Sequence, residues 1–292
     1  MDATGSIVKD PKVLVAEAIK KVATIATLPE VTSRIIKTVE DPRSSATQLH
    51  KIIAHDPALV TRILKVVNSS FYGLPGQIAS IERAIVLLGL NAVKNIAVAA
   101  SLGQLFRGVK LCDGFTAKDL WAHCVAVAVT SREISKAMRL TIADEAFLAG
   151  MIHDIGLLVS LQTAPEQLQR VCAAVKKGNA DFCGVERALT GVDHQMLGAG
   201  LAEMWKFPKS CQIVAAHHHN PVNLPEDYRM LVGIVYMADT LCCQENIGFN
   251  LTALRQNLGD QGLGENAPDD ALIADIRARL PSLLDTAGSI AA

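Results

Sequence analysis

Apolar residues recur at helical spacing along most of the chain, which is typical of amphipathic helices packed on a common core. In residues 11–27, one predicted helix face carries Val15, Ala18, Ile19 and Val22. Up to about residue 110, the same spacing predicts short helices joined by short turns, without strand-like alternation. From residue 116 the predicted helices lengthen, and the last strong helix ends near residue 245.

The interruptions of this pattern divide the chain into three predicted parts. The segment GVKLCDGF at 108–115 is the best candidate for a boundary. It separates a predicted N-terminal helical subdomain, residues 11–110, from a second helical subdomain, residues 111–245. Residues 246–292 are rich in Gly, Asn and Asp and carry one helical patch near 269–280. We therefore expect a loosely attached C-terminal tail with one short helix.

Composition and charge narrow the classes of function. Half of the 292 residues are apolar while only 4% are aromatic, which suits a core of closely packed helices. The net charge is −1 and no basic block exceeds a Lys pair, so we expect no nucleic-acid partner. The N-terminus, MDATGSIVKDPK, lacks a basic region followed by an apolar run, so we expect no signal peptide. No stretch reaches about 18 uninterrupted apolar residues, so we expect no membrane partner. Seven scattered cysteines without a CxxC pair indicate small core residues in a reducing cytoplasm.

The stretch FLAGMIHDIGLLVSLQ at 147–162 places His153 and Asp154 side by side in a strongly apolar predicted helix. Burying an imidazole next to a carboxylate is costly unless both find partners. Helix neighbours point about 100° apart, so these two side chains cannot face each other, but both can reach a cation that lies between them. His123 on the preceding long helix and Asp239 on the last strong helix complete a predicted metal site of nitrogen and oxygen ligands.

A second set of histidines extends this predicted site. His194 begins a predicted helix, and His218 and His219 end another one. Two ions about 3.5–4 Å apart that share a carboxylate can clamp a phosphate ester, and Asp154 is the natural bridge. The other His-Asp doublet, at 55–56, is predicted to be structural instead, with its aspartate capping the next helix.

Together these motifs resemble the HDOD domain, a relative of the HD-type metal-dependent phosphohydrolases found in bacterial signalling proteins. The resemblance covers roughly residues 25–245. In the first half it rests on LPEVTSRIIKTVED, HDPALVTRILKVVNSSFYG and IASIERAIVLLGLNAVKNIAVA. In the second half it rests on LWAHCVAVA, AFLAGMIHDIGLL, GVDHQMLGAGLAEMWKFP and AAHHHNP. It implies an all-α fold in which an N-terminal helical bundle packs against an HD-like helical core.

The resemblance also implies roles for individual residues. In HD phosphohydrolases, the first metal is held at positions that match His123, the 153–154 doublet and Asp239. The dinuclear subgroup adds histidines that match His194 and the histidine pair near residue 218. The family pattern His-His-x-Pro, here HHNP, selects the last two of three consecutive histidines. The implied metal ligands are His123, His153, Asp154, His194, His218, His219 and Asp239.

Two departures from the family pattern bear on activity. The cyclic-dinucleotide phosphodiesterases that the site most resembles carry a phosphate-facing lysine three residues after the doublet's aspartate, where this chain has Leu157. They also carry a long Gly-Tyr-Pro signature after the histidine pair, where this chain reads HHNPVNLPED. A metal site without a cation that faces the phosphate is poorly equipped to stabilise developing charge.

We therefore expect a cytoplasmic bacterial regulatory module for signal transduction, with a metal site and no or vestigial hydrolase activity. One alternative is a metal-dependent phosphohydrolase or phosphodiesterase acting on a nucleotide or cyclic dinucleotide. Another is a protein-interaction scaffold with an empty site. Mixed His and Asp ligands suit iron, manganese, zinc or nickel, as one ion or two. Signalling proteins are the expected partners and a nucleotide is a candidate ligand.

Overall fold

Helices form most of the computed structural model, which describes residues 10–25, 29–39, 41, 43–69, 72–106, 110–222 and 224–291. The predicted all-α fold, with an N-terminal helical bundle packed against a second helical core, is confirmed. Within the described residues, strands are confined to one two-stranded hairpin.

The described residues of the first half of the chain form six short α-helices. They are α1 (Pro11–Ile25), α2 (Glu30–Val39), α3 (Ala46–Ala54), α4 (Pro57–Val67), α5 (Ile81–Leu88) and α6 (Leu90–Leu102). The side chains of Ser45, Asp56 and Ser80 accept backbone N–H bonds at the starts of α3, α4 and α5, which fixes where these helices begin. α6 is buried along nearly its whole length, and α2, α4 and α5 pack around it.

A small hairpin lies at the predicted boundary, where β1 (Lys110–Cys112) pairs antiparallel with β2 (Phe115–Thr116). The helices that follow are α7 (Ala117–Ala137), α8 (Ala143–Ile152), α9 (Ile155–Thr163), α10 (Pro165–Gly178), α11 (Phe182–Thr190), α12 (His194–Met204), α13 (Lys209–His217) and α14 (Glu226–Gln244). Thr116 and Asp119 form a capping box that starts α7. The Asp119 carboxylate is therefore engaged at the helix start.

Helices α7–α9 and α12–α14 converge on one buried region. α7 lies against α8 and α14, α9 crosses α12, and α13 contacts both α12 and α14. A Cβ at Gly156 would lie only 1.8 Å from the carbonyl oxygen of His194, so only glycine permits the crossing of α9 and α12. α1 lies against α9 and α12, so it packs with the second half of the chain, although the sequence predicts residues 11–110 as one N-terminal subdomain.

The segment after residue 245 is an integral part of the core, so the expectation of a loosely attached tail is wrong. Phe249, Ile276 and Leu280 in this segment are buried. Its helix, α15 (Asp270–Ala291), is longer than the predicted patch and packs on both α7 and α4. The weak helical periodicity before residue 270 therefore reflects an irregular path of the backbone rather than loose packing.

Burial explains two further features of the sequence. The segment Ala143–Thr163 has the length and hydropathy of a membrane span, yet 83% of its 18-residue window is buried inside the protein. Buried core helices can have the same length and hydropathy as a membrane span, so this segment is weak support for one. All seven cysteines are buried and free, in agreement with their prediction as core residues.

Candidate metal centre

Four of the predicted ligands meet as one group between helices. His123 lies on α7 and Asp239 on α14, while residues 153–154 form the turn between α8 and α9. His123 Nε2 is 3.0 Å from Asp239 Oδ1 and 3.9 Å from Asp154 Oδ2. His153 Nε2 is 3.4 Å from Asp154 Oδ2 and 3.9 Å from Asp239 Oδ1. His123, His153 and Asp239 are close enough together for one cation to bind them, and Asp154 Oδ2 lies within 3.9 Å of both imidazole nitrogens.

The other three predicted ligands surround the second oxygen of Asp154. Asp154 Oδ1 is 3.4 Å from His194 Nε2 and 3.3 Å from His218 Nε2. His194 Nε2 is in turn 2.9 Å from His219 Nε2. Each oxygen of Asp154 therefore faces a different histidine group, which is the arrangement of a carboxylate that can bridge two cations.

The local backbone explains how the doublet reaches this position. The segment predicted as one helix is interrupted at the doublet, with α8 ending at Ile152 and α9 beginning at Ile155. Asp154 has φ −93° and ψ 16°, away from helical values. The interruption brings His153 and Asp154 toward one region, whereas neighbours in a continuous helix point about 100° apart.

Each histidine of the centre has its Nδ1 atom next to a partner outside the ligand set. The partners are the carbonyl oxygen of Ile247 for His123 (3.2 Å), that of Gly150 for His153 (2.7 Å), the carboxylate of Glu186 for His194 (2.6 Å), the carbonyl oxygen of Val214 for His218 (3.1 Å) and the amide of Gln256 for His219. The first four partners are oxygen atoms that accept a hydrogen bond from Nδ1–H. A proton held on Nδ1 leaves the Nε2 lone pair free to bind a cation.

The centre buries more polar atoms than its hydrogen bonds satisfy. The side chains of six ligands are fully buried, and that of His219 is 8% exposed. Within the described part of the chain, His153 Nε2, both carboxylate oxygens of Asp154 and Asp239 Oδ2 have no hydrogen-bond partner. Unpaired buried polar atoms cost about 1–3 kcal/mol each, and more when charged. A divalent cation between these atoms would remove that cost, so the residues fit a metal ion.

The charges of the cluster shift the pKa values of its members. Burial by itself would raise the pKa of Asp154, but His153, together with His218 and His194, outweighs burial and holds this pKa well below its usual range. Burial lowers the pKa of His218. Burial, followed by the charges of His218 and His194, holds the pKa of His219 well below its usual range. Neutral imidazole and ionised carboxylate are the forms that bind metal.

Sequence reasoning missed the groups that support the ligands. Glu186 on α11 accepts hydrogen bonds from both Nδ1 (2.6 Å) and the backbone N–H (2.9 Å) of His194. Within the amphipathic pattern FCGVERALT it resembles an ordinary surface position, and only its burial distinguishes it. Ile247 and Gln256 follow α14 in an irregular segment, where no spacing pattern marks them.

A cavity of about 250 Å³ opens beside the centre. It is lined by His219, the ligand with measurable exposure. Its charged lining residues are Arg255, Asp181 and Asp260. Leu157, which stands where the resembling phosphodiesterases carry lysine, is fully buried and does not line this cavity.

The fold and the site define a class of all-helical proteins that hold a buried cluster of histidine and aspartate side chains between their helices. The chain belongs to the HDOD domain family, whose model matches residues 25–221. The resemblance inferred from the sequence motifs is thereby confirmed. The matched region contains six of the seven predicted ligands, and Asp239 lies beyond it.

Solved structures of other proteins share this fold. A provisionally named signal transduction protein from Marinobacter aquaeolei VT8 has a TM-score of 0.76 at 20% identity, covering 97% of this chain and 66% of that chain. A provisionally named phosphohydrolase from Shewanella amazonensis SB2B has a TM-score of 0.69 at 24% identity, covering 94% and 98%. At these identities the likeness shows the fold alone.

One curated relative also matches the sequence. It is an uncharacterized protein of Treponema pallidum (strain Nichols), 26% identical over 228 residues, which is 77% of this chain. The matching region spans 44% of the length of that relative. The relative is therefore a considerably longer protein than this chain.

Proposed function

We propose that this chain is a regulatory signal-transduction module of the HDOD type whose histidine and aspartate cluster binds one or two divalent cations. In this proposal the cations have a structural or ligand-binding role, and hydrolase activity is absent or vestigial. Family membership supports a signalling role, and similar folds carry both signalling and phosphohydrolase names. The proposed partner is a signalling protein, and the proposed location is the cytoplasm.

The unpaired buried oxygens of Asp154 are the observation that carries the metal centre. One cation would be held by His123, His153, Asp154 and Asp239, and the other by Asp154, His194, His218 and His219. When bound, the cations would neutralise the buried carboxylates and join helices that are distant in sequence. The mixed nitrogen and oxygen donors suit iron, manganese, zinc or nickel.

The charges around the neighbouring cavity support regulation over hydrolysis. Arg255 is the cation among its described lining residues, and the carboxylates of Asp181 and Asp260 line the same space. A phosphate ester carries negative charge, which two carboxylates repel and a single arginine offsets only in part. Leu157 offers no charge to the transition state.

Metal-dependent hydrolysis of a nucleotide or cyclic dinucleotide is the second candidate function. It is favoured by the position of Asp154, whose two oxygens face separate histidine groups as in two-cation sites that act on phosphate esters. The two proposals differ in one measurable outcome, which is phosphate release or ring opening.

The deciding experiment measures bound metal and turnover on the same purified chain. We expect bound divalent metal in the wild-type protein and its loss in His153→Ala, because His153 Nε2 is a buried donor without another partner. His55→Ala is the matched control, since His55 is exposed and lies outside the centre, so this variant should leave the metal content unchanged. We expect no turnover across a panel of nucleotides and cyclic dinucleotides.

Metal-dependent turnover that disappears in His153→Ala would replace the regulatory proposal with the hydrolase. Wild-type protein that holds no metal after growth and after incubation with iron, manganese, zinc or nickel would contradict both. The remaining alternative would then be a protein-interaction scaffold whose site is empty.

A further inference from the structure

The irregular segment between α14 and α15 forms one wall of the metal centre. Its Ile247 carbonyl oxygen faces His123 Nδ1, and its Gln256 side chain reaches His219 Nδ1. The Phe249 N–H donates to the Asp119 carbonyl oxygen at 3.0 Å, which fixes the path of the segment. All of these residues of the segment lie outside the region that the HDOD model matches.

The Gln256 amide lies between a hydroxyl and an imidazole. Its oxygen is 2.8 Å from Thr240 Oγ1, and its nitrogen contacts His219 Nδ1. In this orientation Nδ1 accepts the hydrogen bond, so the proton of a neutral His219 stays on Nε2, next to His194 Nε2. A protonated Nε2 has no lone pair for a cation.

The opposite orientation of the same amide also satisfies its neighbours. A half turn about the last side-chain bond exchanges the amide nitrogen and oxygen in nearly the same volume. Thr240 Oγ1 lies 2.7 Å from the Tyr236 carbonyl oxygen, to which it can donate its single proton while it accepts from the turned amide. The Gln256 oxygen then accepts from His219 Nδ1–H, and His219 Nε2 presents a lone pair to the centre.

We propose that Gln256 is a positioning residue for His219, and that the second cation binds when the Gln256 amide oxygen faces His219 Nδ1. This inference rests on the proposed metal centre. Each of the other four histidines has an oxygen acceptor at Nδ1. His219 Nδ1 instead faces the Gln256 amide, a group that offers both a donor and an acceptor, while Asp239 Oδ2 lies farther away at 3.6 Å.

This arrangement links the second cation to the cavity beside the centre. Gln256 and His219 both line that cavity. A change in the orientation of the Gln256 amide changes which nitrogen of His219 carries the proton, and with it the affinity for the second cation. The segment after α14 therefore completes the centre chemically as well as covering it.

The test compares Mn²⁺ binding to the wild-type chain, Gln256→Met and Gln256→Glu. Methionine has a similar length without the amide, whereas glutamate keeps an acceptor and loses the donor. We expect Gln256→Met to bind one of two Mn²⁺ ions about 10- to 100-fold more weakly, as is usual for loss of a group that orients a metal ligand. Gln256→Glu should bind both ions at least as tightly as the wild type. Loss of the free Mn²⁺ signal in electron paramagnetic resonance counts the bound ions.

The matched control is Gln261→Met in the same segment. Gln261 accepts a hydrogen bond from the Leu263 N–H at 3.2 Å and contacts no histidine, so both affinities should be retained. Equal affinities in wild type and Gln256→Met, or weakened binding in Gln256→Glu, overturn the positioning role alone. If Gln256→Met does not fold, the result for Gln256→Glu decides by itself. A wild-type chain that binds no ion overturns the metal centre and this inference together.

A second readout reports the proton position directly. Long-range ¹H–¹⁵N correlation spectra of the Zn²⁺-loaded wild type and of Gln256→Glu should show His219 with its proton on Nδ1. A residue that only fills space would leave this tautomer unchanged in Gln256→Met. The proposal is overturned if the Zn²⁺-loaded wild type carries the His219 proton on Nε2.

Discussion

For single residues, the cost of burying polar groups is what made the candidate centre predictable. The chain contains two His-Asp doublets, and only the one at 153–154 lies in an apolar segment. In the other doublet, Asp56 accepts a hydrogen bond from the Leu59 N–H at 2.9 Å and His55 is exposed, as its structural interpretation predicted. The same two residue types therefore have different roles, which the polarity of their neighbours distinguishes.

The supporting residues could not be predicted in the same way. Glu186 lies eight residues before His194, and this spacing matches no helix face because a turn separates α11 from α12. Gln256 contacts His219 from 37 positions away through an irregular segment. Such contacts depend on tertiary packing, which periodicity does not encode.

Glu186 should make metal binding depend on pH. Burial lowers the pKa of His194, but the Glu186 carboxylate outweighs it and raises this pKa to about 9. Below pH 9 a proton therefore competes with the cation for His194, so we expect the apparent metal affinity to rise with pH by about tenfold per unit between pH 7 and 9. Competition with a metal indicator at several pH values measures this slope.

Glu186→Gln provides the comparison for that slope. Removing the negative charge lowers the pKa of His194 toward its ordinary value, so the affinity should change little with pH between 7 and 9. If the metal affinity rises equally steeply with pH in the wild type and in Glu186→Gln, Glu186 does not control the proton on His194.

Among the elements, the crossing of α9 and α12 determines whether the two histidine groups can meet. α9 follows directly after Asp154, and α12 begins with His194. At Gly156 the two helices are too close together for a larger residue. This close approach allows Asp154 Oδ1 and His194 Nε2 to lie 3.4 Å apart. The apolar pattern predicted both helices, but it did not predict which of their faces touch.

Gly156→Ala should separate these helices. Its Cβ would lie 1.8 Å from the His194 carbonyl oxygen and 2.7 Å from the Gly198 nitrogen, so we expect a loss of about 3 kcal/mol or more in the free energy of unfolding. Urea unfolding followed by circular dichroism measures the loss.

Gly198→Ala tests whether this effect comes from the contact or from helix propensity. Its Cβ would be 3.3 Å from the nearest atom, the Gly156 nitrogen, which is a tight but tolerable contact. The gain in helix propensity of about 0.5–1 kcal/mol offsets that strain, so the net change should be small. Equal losses for the two variants would mean that the crossing is not specifically limited at Gly156.

Across the whole molecule, the helical architecture and the HDOD family followed from sequence, whereas the role of the C-terminal segment did not. Helical spacing identifies amphipathic helices wherever they occur, and the described helices agree with it over most of the chain. The segment around Phe249 lacks such spacing, although it is buried and borders the centre. Irregular backbone held by single hydrogen bonds leaves no periodic trace in a sequence.

Removing the metal should lower the stability of the whole chain. Ions that bind only the folded state at about 100 times their dissociation constant add about 2.7 kcal/mol, which corresponds to about 5–10 °C in the midpoint of thermal unfolding. We expect a chelator to produce this decrease in the wild type, as measured by calorimetry.

Asp154→Asn is the reference for that measurement. It removes the charge shared by both predicted cation sites, so its unfolding midpoint should be insensitive to chelator. A wild-type midpoint that also ignores the chelator, in a sample shown to contain metal, would contradict a stabilising role for the ions.

Because all seven thiols are buried, their alkylation can report the transient opening of the helices. Burial raises the pKa of Cys124 and Cys243 well above the ordinary range and that of Cys242 to about 12, so these sulfurs are unreactive while the helices are closed. They lie on α7 and α14, the helices that carry His123 and Asp239. A brief separation of these helices would therefore expose the thiols to irreversible alkylation, even if it is too rare to alter an averaged signal. Mass spectrometry can identify the alkylated cysteine and follow its modification over time.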